Sequence, residues 1–167
     1  MKPIWVAMTF DLLEQFNLLQ QYQIYQAIPC TDKDLNSYHN PQYIQYMKSF
    51  HPDQKPLETF KIGTCNDVPA FNGFYEFSKL TGGSSLMGAN LINSQTHQIV
   101  LNWIGGFHHA KKNHASGFCY INDCVLAINR MLTTYDKVLY IDIDVHHGDG
   151  VEEAFLYNDR VLTLSFH

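Results

Sequence analysis

Apolar positions follow two rhythms along the chain. Up to about residue 93 they recur at spacings of three and four, the period of helices packed on one face. Leu12, Leu13, Phe16 and Leu19 form one such stripe, with Thr9 as its expected cap. Asn40-Pro41 is a second start signal, a capping Asn followed by Pro at the first helical position. The helix it opens carries Tyr43, Ile44, Tyr46 and Met47. Between His51 and Pro69 the chain is polar and broken by Pro52, Pro56 and Gly63, which predicts a surface excursion. Phe74 to Asn93 reads as a helix despite Gly82-Gly83, a pair that implies close packing, a kink or a break.

Beyond residue 98 the rhythm changes. Ile99 to Ile104 reads as a buried strand ending at Gly105-Gly106. Asn122 or Asp123 starts a helix through Val125, Leu126, Ile128, Met131 and Leu132. Val138–Ile143 is a second strand, Val151–Phe155 a helical turn, and Val161–Ser165 a third strand. This order implies an α/β fold, a mostly parallel sheet flanked by helices. The expectation is one domain over residues 1–167, with no repeat, linker or internal boundary.

Composition narrows the function classes. The 167 residues are 46% apolar and 16% charged, which excludes a disordered chain. No apolar run approaches the roughly 18 residues of a membrane span, so no membrane partner is expected. The net charge of -5 lacks the basic footprint of direct nucleic-acid binding and would tolerate a Lys-rich partner. Cys30, Cys65, Cys119 and Cys124 form no CxxC pair and read as buried free thiols of a reducing compartment. No leader pattern opens the chain, so cytoplasm or nucleus is expected.

Chemistry concentrates beyond two strand ends, where open α/β sheets bind ligands. One end reads Gly105-Gly106-Phe107-His108-His109; the other runs from Asp142 through Asp144, His146 and His147 to Gly148-Asp149-Gly150. Alternation along a strand would put Asp142, Asp144 and His146 on one side of the sheet. Facing carboxylates repel without a cation, and a mixed His and carboxylate set suits zinc, or iron(II) as the alternative. Asp144 and His146 can supply two ligands. Neutral His108 or His109 suits proton transfer near pH 7, with Asp142 and Asp149 as the carboxylates available to orient it.

Three long segments carry a resemblance. Gly105-Gly106-Phe107-His108-His109-Ala110-Lys111-Lys112, Ala115-Ser116-Gly117-Phe118-Cys119-Tyr120-Ile121-Asn122-Asp123, and Tyr140 through Phe155 resemble the zinc-dependent histone deacetylases, class I above all. Met1-Lys2-Pro3 and Asp67-x-Pro69 resemble further segments of that branch. The resemblance implies an arginase/deacetylase-like α/β fold and removal of acetyl groups from lysine side chains. It implies Asp144 and His146 as zinc ligands, His109 as general base, and His108 as electrostatic partner or proton donor. Asp142 would pair with His108, and Asp149 with His109. Gly117 and Phe118 would line the acetyl-lysine tube, and Asp67 would bind substrate backbone at the rim. Structural potassium is implied at Asp142, Asp144, His146, Ser165 and Phe166, and at Phe155, Asn158 and Val161.

Implied partners are acetylated histone tails or other acetyl-lysine proteins and corepressor subunits, in the nucleus and also the cytoplasm. The resemblance also implies an incomplete domain, because the family's third ligand, an aspartate, and its transition-state tyrosine match nothing here. Trp5 stands where the family has an inner-cavity arginine. The competing expectations are a catalytically dead remnant that acts as an interaction module, and a related metallohydrolase such as an acetylpolyamine deacetylase.

Overall fold

A computed structural model of the chain describes residues 4–64 and 66–167. Met1-Lys2-Pro3 and Cys65 lie outside the described residues. Helix α1 (Ile4–Gln15) begins five residues before the cap expected at Thr9. The Thr9 hydroxyl donates back to the Trp5 carbonyl at 2.9 Å, an i−4 bond open to Thr inside a helix. The apolar run from Ile4 has already started the helix at that point. Leu19–Gln21 forms a separate 3₁₀ turn.

Helices α2 (Asp32–Leu35) and α3 (Pro41–Ser49) follow their caps. The Asn40 side chain accepts from the Gln42 N–H at 2.8 Å, as Asn40-Pro41 predicts. Helix α4 (Phe74–Asn93) runs unbroken through Gly82-Gly83. The reason is close packing: a Cβ on Gly83 would collide with the Ile28 carbonyl and stand 2.7 Å from the Cys30 N. The Cys30 N–H bonds the Lys79 carbonyl at 2.9 Å, which fixes this crossing. Leu35 of α2 and Tyr43 and Met47 of α3 share the larger core with Phe50, Phe74, Leu86, Ile121 and Leu126.

Helix α5 (Asp123–Met131) leads into a β1–α6–β2 unit: Val138–Asp142, Asp149–Phe155 and Val161–Ser165. The two strands pair in parallel, Val138 opposite Val161 and Asp142 opposite Ser165. One face, through Val138, Tyr140 and Val161, packs on Val125, Ile128, Val151 and Phe155. The other face, Leu139, Ile141, Leu162 and Leu164, is exposed.

Two expectations are corrected. Ile99–Ile104 forms no strand, and Ile99, Leu101 and Trp103 are exposed rather than buried. A strand needs a hydrogen-bonded neighbour, and among the described residues β1 and β2 pair only with each other. The second strand stops at Asp142, one residue early. Cys30 and Cys119 are buried free thiols and Cys124 is a half-buried one. No described helix is long and apolar enough to cross a membrane.

Candidate active site

Past Asp142 the chain leaves the sheet, so strand alternation is not what gathers its polar residues. Two consecutive Asx turns do this, each carboxylate accepting the N–H two residues on. Asp142 Oδ1 accepts from the Asp144 N–H at 3.0 Å, and Asp144 Oδ2 from the His146 N–H at 2.8 Å. The Asp144 carboxylate also lies 3.0 Å from His146 Nδ1. The bond from the His146 N–H is the largest influence holding the Asp144 carboxyl below its usual range. Asp144 and His146 both face solvent, and His108 Nε2 stands 3.9 Å from Asp144 Oδ2.

His108 and His109 lie on a segment without helix or strand, their rings 4.0 Å apart. His108 is buried, and its Nδ1 is 2.6 Å from Asp142 Oδ2. His109 Nδ1 is 2.7 Å from Asp149 Oδ1, on the first turn of α6. A carboxylate can only accept, so each Nδ1 carries a proton, and in the neutral ring Nε2 is then the acceptor. The His109 ring lies 6.0 Å from that of His146.

Both orienting carboxyls are held below their ordinary range. Burial would raise Asp142, but hydrogen bonds from His108, from Tyr140 (2.5 Å) and from the Asp144 N–H outweigh it. Burial would likewise raise Asp149, and hydrogen bonds from His109 and Lys111 outweigh it. Lys111 Nζ lies 2.8 Å from Asp149 Oδ2 and 3.3 Å from Glu153, with its side chain largely buried. Its role is absent from the sequence reading; a cation two residues past the tandem histidines is the only signal in the chain. His147 turns away from this group, with its Nε2 3.1 Å from Glu152 and its ring stacked on His167.

Gly117, Phe118, Asp67, Ser165 and Phe166 border this centre, whereas Phe155, Asn158 and Val161 lie at the other end of the β1–α6–β2 unit. Gly117, at φ +49°, lies so close to His109 that a Cβ would stand 2.7 Å from the ring Cγ. Phe118, at φ +62°, is exposed beside it. Asp67 ties its loop to both: its carboxylate accepts from the Gly117 N–H and its carbonyl from the Phe118 N–H, each at 3.1 Å. Ser165 accepts from the Gly148 N–H at 3.1 Å, and the Phe166 N–H donates to the Asp142 carbonyl at 2.9 Å. Phe155, Asn158 and Val161 meet in the turn between α6 and β2, where the Asn158 N–H bonds the Phe155 carbonyl at 2.9 Å. Among the described residues, no three His, Cys, Asp or Glu side chains converge as a metal site. Asp144 and His146 remain a two-donor pair of oxygen and nitrogen, the ligand types zinc takes.

The sequence matches the family model described as the histone deacetylase domain over residues 1–167. It is 46% identical over 172 aligned positions to "Histone deacetylase HDAC1" of Drosophila melanogaster, covering 100% of this chain and 33% of that protein. It is 46% identical to "Histone deacetylase 1" of Homo sapiens and 45% to "Histone deacetylase 19" of Arabidopsis thaliana, covering 100% of this chain each time. The covered shares of those two relatives are 35% and 34%. The chain thus spans about a third of the length of the curated relatives it matches.

Proposed function

Since the chain belongs to the class I branch of the histone deacetylase family, we propose that the protein hydrolyses the acetyl amide of acetyl-lysine side chains. Its substrates are acetylated histone tails or other acetyl-lysine proteins, and it works in the nucleus, and also in the cytoplasm, with corepressor subunits. One observation carries the chemical reading. Two His–Asp pairs stand side by side, their rings 4.0 Å apart, next to the Asp144–His146 donor pair.

Asp144 and His146 would hold zinc, with iron(II) as the alternative, and the donor pair fits either ion. When bound, such an ion polarises an amide carbonyl and lowers the pKa of water. His109 Nε2, the free acceptor of its pair, takes a proton from the attacking water and passes it to the departing amine. Asp149 holds the ring in that tautomer and stabilises the imidazolium that forms. His108, oriented by Asp142, presents its Nε2 towards Asp144 and supplies the electrostatic partner. The carbon–oxygen bond to water forms, the carbon–nitrogen bond breaks, and acetate and a lysine amine leave.

Gly117 and Phe118 wall the stem of the side chain, and Asp67 accepts hydrogen bonds from substrate backbone at the rim. Structural potassium is proposed at Asp142, Asp144, His146, Ser165 and Phe166, and at Phe155, Asn158 and Val161. In the full-length protein, acetate release from an acetyl-lysine histone-tail peptide tests the reading. His109→Ala should lower kcat by roughly 10²–10⁴, the scale of a lost general base. Near-normal turnover in that variant would refute the assignment.

A further inference from the structure

Residues 105–111, which carry the tandem histidines, have no helix or strand of their own. The backbone of such a segment must find its hydrogen bonds outside a helix or sheet ladder. Two adjacent side chains at the start of α5 supply most of those bonds, and both are buried, Asn122 at 0% and Asp123 at 1% exposure. Asn122 Nδ2 donates to the carbonyls of His108 and Ala110, both at 3.1 Å, and so brackets His109. Its Oδ1 accepts from the Val125 N–H at 3.1 Å and caps α5. Asp123 accepts from the N–H of Gly106 at 3.0 Å and of Phe107 at 2.8 Å, and from the Ser85 hydroxyl at 2.5 Å.

A third side chain closes the arrangement from the far side. His39 Nε2 accepts from the Asn122 N–H at 3.0 Å, so its proton sits on Nδ1 and is donated to the Lys111 carbonyl at 3.1 Å. Backbone groups of Gly106, Phe107, His108, Ala110 and Lys111 are therefore all held by three buried side chains. A slip of the segment would leave several buried polar groups unpaired, at about 1–3 kcal/mol each. None of the three side chains hydrogen-bonds to the imidazoles of His108 and His109.

We infer that Asn122, Asp123 and His39 form a buried clamp that fixes the register of the His108–His109 segment, so that both imidazole Nδ1–H groups meet their carboxylates. These are positioning residues. The inference rests on the deacetylase reading for its kinetic arm alone.

Shape-conserving substitutions test it in the full-length protein. Asn122→Asp sets an oxygen against two carbonyl oxygens, and Asp123→Asn sets an amide against N–H donors. Neither leaves a cavity. The direct probe is NMR of the imidazole protons, since an Nδ1–H held by a carboxylate is downfield and exchanges more slowly than a free one. The native protein should show such protons on His108 and His109, and both clamp variants should lose them. Tyr43→Phe removes a buried bond of 2.6 Å to the Tyr120 carbonyl, away from the segment, and should keep them. If a clamp variant fails to fold, Ser85→Ala, which removes one donor to Asp123, replaces it and should speed exchange of the Phe107 amide. In the kinetic arm, kcat on an acetyl-lysine peptide should fall roughly 10–10²-fold with KM within about twofold, the scale of a misplaced catalytic group. A native protein with no turnover would remove the deacetylase reading and leave the imidazole protons to decide the clamp. Protons that persist in the clamp variants, vanish equally in Tyr43→Phe, or are missing from the native protein would overturn it.

Discussion

Acidification should loosen the fold through His39. This side chain is 1% exposed, and burial pushes its pKa from 6.5 down to about 4. The geometry demands the neutral ring, because a protonated Nε2 would point a donor at the Asn122 N–H. In the unfolded chain the same ring takes up its proton near 6.5. Between 6.5 and about 4 the unfolded state therefore binds more protons, and stability falls as pH drops. That gap is worth roughly 3 kcal/mol, most of it lost by about pH 4.5.

Other groups must be separated from this one. Burial raises the Asp123 carboxyl despite its hydrogen bonds, so its contribution runs the other way and falls as pH rises. Asp142, Asp144 and Asp149 are held low, and their contribution is lost only as pH falls below 3.8. Urea unfolding of native protein and His39→Gln at about pH 7 and about pH 4.5 isolates His39. The acid-induced loss of stability should be smaller in the variant by roughly 2 kcal/mol, whatever the substitution costs at neutral pH. Equal losses in the two proteins would refute the reasoning.

Gly83→Ala should lower stability by about 1–3 kcal/mol in thermal melts, because its methyl meets the Ile28 carbonyl and the Cys30 N of a packed crossing. Asp67→Ala should raise KM for acetylated peptides more than for a minimal acetylated lysine; equal losses on both would remove it from the rim. Calorimetric zinc binding should weaken in Asp144→Asn with His146→Ala, and unchanged affinity would place the metal elsewhere. Lys111→Met should move the Asp149 carboxyl titration, followed by carbon NMR, up towards 3.8; an unmoved midpoint would mean that Lys111 does not tune it.

Local signals proved legible where the cause is local. Asn40-Pro41 starts α3, and the span Phe74–Asn93 is the whole of α4, because capping chemistry and helical period act within a few residues. Parallel pairing of Val138–Asp142 with Val161–Ser165 follows from a short helical crossover. Ile99–Ile104 failed as a strand because strand formation depends on a neighbour that no local pattern encodes. In the site, the histidines and aspartates stand out as motifs. Their arrangement depends on Asx turns rather than on the alternation expected of a continuing strand. His39 carried no signal at all, since its partners Lys111 and Asn122 are 72 and 83 residues away.

The two halves of the site differ in how far along the chain their contacts reach. Asp142, Asp144, His146 and Asp149 all belong to the β1–α6–β2 unit or its connecting loop, where contacts span few residues. The histidines join that unit through pairs separated by 34 and 40 residues, and their backbone depends on still longer contacts to His39. The two imidazole–carboxylate bonds are therefore a seam between a unit built from local contacts and a segment held by distant ones. Opening those two bonds would part the bases from the ligand pair while leaving the Asp144–His146 contact itself intact.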